Sequence, residues 1–244
     1  MRAAVSTLVG LLALAGVSTA AAAAGPHPAA VPIAVVSCPA RAGVAGLSPP
    51  PIPTQLSAAV AARTAARLRF YSDGYLVVLG PTGWTCTGLE AADGGESLSV
   101  FPVGQSDPLG ATTPGADAEA VTARFDYTGH GPGSELVCGL FPASVASRLA
   151  EATGGCTTIP AREVVRHPSR DVATFLDPAG VSGTGEPSGG TNPASGAVFF
   201  PQLAREPASV NVAKVTCTPP KPLASLCPSI IADFVGRARL RPRS

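Results

Sequence analysis

The sequence predicts an α+β fold, namely a single disulfide-stabilised domain with a mixed or antiparallel sheet and a few short helices. Short apolar stretches, some alternating with polar residues, follow one another between Gly- and Pro-rich turns, which is typical of strands. Only a few segments have the composition of helices. An even number of cysteines accompanies this pattern, at Cys38, Cys86, Cys138, Cys156, Cys217 and Cys227.

Residues 1–24 have the layout of a secretory signal peptide. Arg2 precedes an uncharged apolar run from Val5 to Val17, and small residues follow up to Ala24. Because the signal peptidase accepts small side chains, we expect cleavage between Ala20 and Ala24 and a protein that is secreted or held in the cell envelope. An uncleaved membrane anchor is the alternative for this run.

The cysteines offer two alternatives for Cys38. Val35-Val36-Ser37-Cys38 matches the box that precedes a lipidated cysteine in bacterial lipoproteins, but a lipid anchor would leave an odd number of other cysteines. An even count in an oxidising compartment predicts three bridges, for which the sequence allows fifteen pairings. Pairing of near neighbours favours Cys38 with Cys86, Cys138 with Cys156 and Cys217 with Cys227.

The balance of charge argues against a polyanionic partner. The formal net charge is +1, and removal of Arg2 with the signal segment leaves 16 basic and 16 acidic residues. A neutral chain has no general attraction for nucleic acid. We therefore expect no nucleic-acid partner, and favour an envelope component or another exported protein.

The first half of the mature chain predicts an arm, a helix and two strands. Residues 25–53 are Pro-rich and nearly uncharged, which indicates an extended arm before an α+β domain over residues 54–236. Thr54 is a suitable N-cap for a helix over Gln55 to Arg67. Strands are expected from Tyr75 to Leu79 and from Ser97 to Val103, each next to a Gly-rich turn.

The second half predicts further strands and helices. Alternation from Val121 to Tyr127 is typical of a half-buried strand. Helical pieces are expected over residues 135–140 and 143–152. The remaining strand candidates are Glu163 to Arg166, Val172 to Leu176, Ala197 to Phe200 and Ser209 to Thr216. A helix over Pro228 to Val235 and a basic C-terminal tail, residues 237–244, complete the chain.

A long segment rich in Gly, Pro and Ser over residues 178–193 separates two of these strands. Loops of this length are usually functional when they are ordered. We therefore predict that this 178–193 loop, with Ser188, Gly189 and Asn192, forms a binding surface together with Trp84, the only tryptophan.

Two arrangements could support catalysis by a hydrolase. Glu186-Pro187-Ser188-Gly189-Gly190 resembles the segment around the nucleophile of chymotrypsin-like proteases, but Pro187 replaces the acidic residue and no partner base is evident. Asp171 and Asp177 start and end one predicted strand at a separation of six, which would place both on the same face, as a glycosidase pair requires. Their positions at its two ends favour the alternative that both are turn residues. The expected alternative is an exported hydrolase that uses Ser188 or Asp171 and Asp177.

Motifs for other chemistry are missing from the sequence. The three histidines are scattered, and there is no H-E-x-x-H, C-x-x-C, phosphate-binding loop or G-x-S-x-G elbow. We therefore predict no metal and no cofactor, and the catalytic residues remain unknown.

Gly83-Trp84-Thr85-Cys86 and Asp177-Pro178-Ala179-Gly180-Val181, with Pro187-Ser188-Gly189-Gly190, carry a resemblance to exported proteins of unknown function from high-GC actinobacteria. The resemblance implies the compartment and supplies no activity. Taken together, the sequence favours a non-catalytic binding or envelope-associated domain over an enzyme.

Overall fold

The computed structural model describes residues 29–42, 49–91, 95–108, 118–126, 137–142, 155–185, 189–201 and 212–240. The signal segment lies outside these residues, as do the expected helical piece at 143–152 and the end of the chain beyond residue 240. The strands are β1 (Val31–Ser37), β2 (Ala40–Ala42), β3 (Gln55–Ala58), β4 (Leu68–Ser72), β5 (Val77–Pro81), β6 (Thr85–Glu90), β7 (Glu96–Phe101), β8 (Val121–Asp126), β9 (Val164–Ser169), β10 (Val172–Asp177), β11 (Ala194–Phe199) and β12 (Val212–Cys217). The helices are α1 (Ala62–Ala65), a turn over residues 137–140, a 3-10 helix (Lys221–Leu226) and α2 (Cys227–Leu240).

The strands form two mixed sheets, which confirms the predicted α+β class. One sheet has the order β3-β1-β4-β5, and the other has the order β2-β6-β7-β8-β12-β11-β10-β9. Within these sheets β1 pairs with β4 and β2 with β6 in parallel, and the other pairs are antiparallel.

The main core lies between the two sheets and α2, and a second cluster packs on the opposite face of the eight-stranded sheet. Strand alternation explains the division, because successive side chains point to opposite faces. In β12, Ala213 and Val215 join the main core while Val212 joins the second cluster. The helical turn at 137–140 covers this second cluster, where Phe141 packs edge-on against Phe200.

Helix α2 is longer than the sequence predicts. Ile230, Phe234 and Ala238 follow the helical spacing of four residues and are buried on the side that faces the sheets. Arg237 donates a hydrogen bond to Asp233 (2.8 Å) and lies over the ring of Phe70. The helix therefore includes the first part of the segment that was expected to be a basic tail.

The prediction of a helix from Gln55 to Arg67 is wrong for its first half. Gln55–Ala58 is strand β3, which pairs with β1 through Ile33 and Leu56, and only Ala62–Ala65 is helical. Helix propensity is a weak preference, and backbone pairing with a neighbouring strand overrides it. The partner strand β1 lies within the segment that was expected to be an extended arm.

Three disulfides connect these elements: Cys38–Cys86, Cys138–Cys156 and Cys217–Cys227. They are the near-neighbour pairs that the sequence favours. The first joins the end of β1, in the small sheet, to β6 in the large sheet, and the third joins β12 to α2. Disulfides of this number are typical of proteins that work in an oxidising, extracytoplasmic environment.

Candidate functional site

The 178–193 loop connects β10 to β11, which are adjacent antiparallel strands in which Asp177 and Ala194 are register partners. Its two described ends are tied together, because Gly180 N donates a hydrogen bond to Gly190 O (2.8 Å). Val181 is buried and its N–H bonds to Pro178 O (3.0 Å), which closes a turn. The described part of the loop is therefore a folded structure rather than a plain linker.

Buried polar side chains hold the loop on the sheet. Asp177 is only 1% exposed, and its Oδ2 accepts a hydrogen bond from Gly185 N (2.7 Å). Glu163, also buried, accepts one from Thr184 N (3.1 Å) through Oε2. Lys214 Nζ donates to Thr184 O. We call Glu163, Asp177, Thr184 and Lys214 the loop anchor.

Gly183 explains why the loop can approach both carboxyl groups. A Cβ at this position would lie within 3 Å of Asp177 Oδ1 and of Glu163 Oε2. Only a residue without a side chain leaves room for this approach. The two carboxyl groups therefore converge on one short stretch of backbone.

Lys214 reaches the loop anchor across the sheet from β12. Its Nζ lies 5.9 Å from the centroid of the Phe175 ring, which is a cation–π distance. Phe175 occupies the space that a side chain on Gly196 would need, since a Cβ there would overlap the ring. The ammonium group therefore binds the same short stretch of loop backbone that the two buried carboxyl groups bind.

Asp171 is at the other end of β10 and has different partners. Its Oδ1 accepts hydrogen bonds from Ser169 Oγ (2.6 Å) and from Arg239 of α2 (3.2 Å). Burial raises the pKa of Asp171, but the hydrogen bonds from Ser169 and its backbone and the nearby charge of Arg239 outweigh burial and lower the pKa below its ordinary value.

Asp171 and Asp177 do not form a catalytic pair. Six residues of extended strand separate them, which corresponds to about 20 Å, whereas the carboxyl groups of glycosidases lie about 5 to 9.5 Å apart. Asp171 is also bound to α2 on the main-core side, while Asp177 follows Ala173 and Phe175 on the face of the second cluster. The two side chains therefore do not share one face, and Asp171 lies in the turn that precedes the strand, as the alternative of a turn residue predicts.

The other predicted site residues lie in two separate parts of the large sheet. Gly189, which has a positive φ of 65°, and the half-buried Asn192 lie in the described second end of the loop, while Ser188 lies outside the described residues. Trp84 directly precedes β6 and packs against the main core. Five strand spacings separate β6 from β10, about 24 Å along the sheet, so the structure does not bring Trp84 to the loop.

Within the residues that the structure describes, no group of three or more His, Cys, Asp and Glu side chains could hold a metal ion. His167 has a structural contact, since its Nε2 lies 2.8 Å from Leu140 O and its ring packs edge-on against Phe141. In the same described ranges, no helix has the length and hydropathy needed to cross a membrane.

Glu163 and Lys214 are the site residues that the sequence does not reveal. Glu163 reads as the start of a strand, and Lys214 as a polar position in another. The available signal is composition, because Lys214 is one of two lysines in a chain with fifteen arginines.

The chain matches no protein-family model, and searches of curated proteins and of solved structures give no significant match.

Proposed function

We propose that this protein is an exported, non-catalytic binding domain that presents the 178–193 loop to an envelope component or to another exported protein. The proposal depends mainly on the structural role of Asp177. This carboxylate is 1% exposed and bonded to Gly185 N, so it stabilises the loop and is not open to a substrate. Glu163 has the same role toward Thr184.

The shape of the loop supports binding. Buried anchors hold its base, and Ala179 and Thr191 are exposed on its two described sides. A loop that is ordered before binding loses less conformational entropy when a partner docks. Rigid presentation of exposed backbone and small side chains is therefore suited to recognition.

Export to a compartment outside the cytoplasm is part of the proposal. The three disulfides agree with an oxidising environment, and residues 1–24 have the layout of a signal peptide. The bridge of Cys38 to Cys86 uses the sulfur that a lipid anchor would need, which favours a soluble exported protein. The intact mass of the secreted protein should fit cleavage between Ala20 and Ala24, and reduction should add two hydrogens per bridge.

Binding to purified envelope and to purified exported proteins tests the loop. Ala179→Glu adds a charged side chain at an exposed loop position, and Ala59→Glu makes the same change at an exposed position after β3. We expect Ala179→Glu to weaken binding while both variants keep the melting temperature of the parent protein. Equal binding by the two variants would show that the loop is not the contact surface.

A panel of ester, peptide and glycan substrates separates binding from hydrolysis. We expect no turnover by the exported protein. Turnover that disappears in Ser188→Ala, with folding intact, would instead establish the hydrolase alternative.

A further inference from the structure

Strand β9 forms one outer edge of the eight-stranded sheet. Its partner in that sheet is β10, through register pairs that include Val164 with Leu176 and Arg166 with Thr174. The opposite side of an edge strand presents N–H and C=O groups that can pair with another extended chain. Among the strands that the structure describes none pairs with this side of β9, and four of its six side chains are exposed.

The two halves of β9 differ in how well they are protected against pairing. Pro168 has no N–H to offer, and the register with β10 shifts between Val172 and Thr174, next to this proline. Prolines and bulges are the devices by which edge strands avoid pairing. They protect the end from His167 to Ser169 and leave Val164 to Arg166, the open half of β9, without such a feature.

Apolar side chains are exposed at this open half. Val164 and Leu176 are 44% and 45% exposed, and they are register partners on the same face of the sheet. Helix α2 packs against β11, β12 and β5, while this pair stays in contact with water. Removing the pair from water is favourable in proportion to the apolar area covered.

The charge around the open half is positive. Arg162 and Arg166 are exposed basic side chains at this end of the strand. The nearby carboxylates are directed elsewhere, since Glu163 is buried in the loop anchor and Asp171 is bound to Arg239. A second copy of β9 would bring like charges together, whereas an acidic chain would complement them.

We infer that the open half of β9 binds an extended acidic segment of another exported protein, which adds to the sheet as a further strand. Side chains two residues apart share a face, so the segment would place an apolar residue beside Val164 and a carboxylate beside Arg166. Glu163 and Asp177 hold the 178–193 loop at the same end of β9 and β10. The inference thus rests on the proposed binding function and names its partner class.

A short labelled peptide in which valine and glutamate are two residues apart, with threonine between them, tests this inference on the full exported protein. Fluorescence anisotropy measures its binding, and hydrogen exchange measures protection of the amides from Val164 to Arg166. Arg166→Glu reverses one exposed charge on β9, and Arg63→Glu makes the same change on the exposed face of α1. Peptides with lysine in place of glutamate, and with glutamate but no valine, serve as controls.

We expect the valine–glutamate peptide to bind and to protect the open half of β9. Arg166→Glu should weaken this binding by at least about fivefold, because an exposed attraction becomes a repulsion, and Arg63→Glu should leave it unchanged. Absence of binding, binding without protection of β9, or equal binding of the valine-free peptide would each overturn the inference. If the peptide fails while Ala179→Glu still weakens envelope binding, only the β9 inference is lost; if neither effect is seen, the proposed function fails as well.

Discussion

Gly183 is the residue at which the path of the 178–193 loop is most constrained. Two carboxyl oxygens lie within 3 Å of the position that a Cβ at Gly183 would take. Gly183→Ala should lower the free energy of unfolding by about 1 to 3 kcal/mol, because an extra methyl group in a filled space forces its neighbours apart. Urea unfolding measures the change. Gly155→Ala is the matched control, since a Cβ at Gly155 meets nothing within 4 Å; equal losses in the two variants would contradict the packing described for Gly183.

Asp177 tests whether the buried carboxylate stabilises the fold. Asp177→Ala leaves Gly185 N–H without this acceptor in a buried place, so we expect a loss of about 1 to 3 kcal/mol in unfolding free energy. Asp171→Ala removes a largely exposed ion pair with Arg239, for which the expected loss is about 0 to 1 kcal/mol. Urea unfolding at neutral pH measures the loss of unfolding free energy in each of the two variants. A larger loss for Asp171→Ala would show that Asp177 is not a structural anchor.

At the scale of elements, α2 connects two aspartates whose pKa values shift in opposite directions. Burial raises the pKa of Asp233, and the hydrogen bond and charge of Arg237 offset part of that effect. For Asp171 burial also raises the pKa, but the contacts with Ser169, its backbone and Arg239 lower it overall. Asp233 is therefore a weaker acid, and Asp171 a stronger acid, than an ordinary aspartate.

These shifts predict opposite dependences of stability on pH. The free energy of unfolding that Asp233 contributes is measured as the difference from Asp233→Asn. This contribution is fully present below the pKa that Asp233 has in the unfolded chain, and it is lost as pH rises through the raised pKa of the folded protein. The contribution of Asp171, measured as the difference from Asp171→Asn, is present above the pKa that Asp171 has in the unfolded chain. It is lost as pH falls through the lowered pKa of the folded protein. Urea unfolding between about pH 2 and 6, on either side of the ordinary aspartate pKa, measures both differences. Changes of the same sign would contradict the assignment.

Sequence patterns predict elements where one face is consistently apolar. The alternation from Val121 to Phe125 predicts β8, and its apolar side chains, Val121, Ala123 and Phe125, are buried in the structure. The composition of Gln55–Ala58 predicts a helix, but these residues form a strand through pairing with β1. The difference depends on a partner that is distant in sequence, which a local pattern does not contain.

At the scale of the whole molecule, the loop anchor shows the same limit on prediction. The position of the 178–193 loop follows from its composition, but the anchor joins Glu163 before β9, Asp177 on β10 and Lys214 on β12. Only the strand order β12-β11-β10-β9 brings these three residues together. The disulfide pairs were predictable because each links cysteines that are neighbours in the order of the chain.

The disulfides allow a final prediction about how the molecule is held together. Cys38–Cys86 closes a separation of 48 residues and joins the two sheets, whereas Cys217–Cys227 closes a separation of 10 residues. The loss of loop entropy in the unfolded chain stabilises the fold by about 4 kcal/mol for the first and about 3 kcal/mol for the second. All four cysteines are buried, so the double variants C38A/C86A and C217A/C227A remove similar packing. Urea unfolding of the two variants should show the larger loss for C38A/C86A, and the reverse order would mean that the short bridge between β12 and α2, rather than the link between sheets, dominates stability.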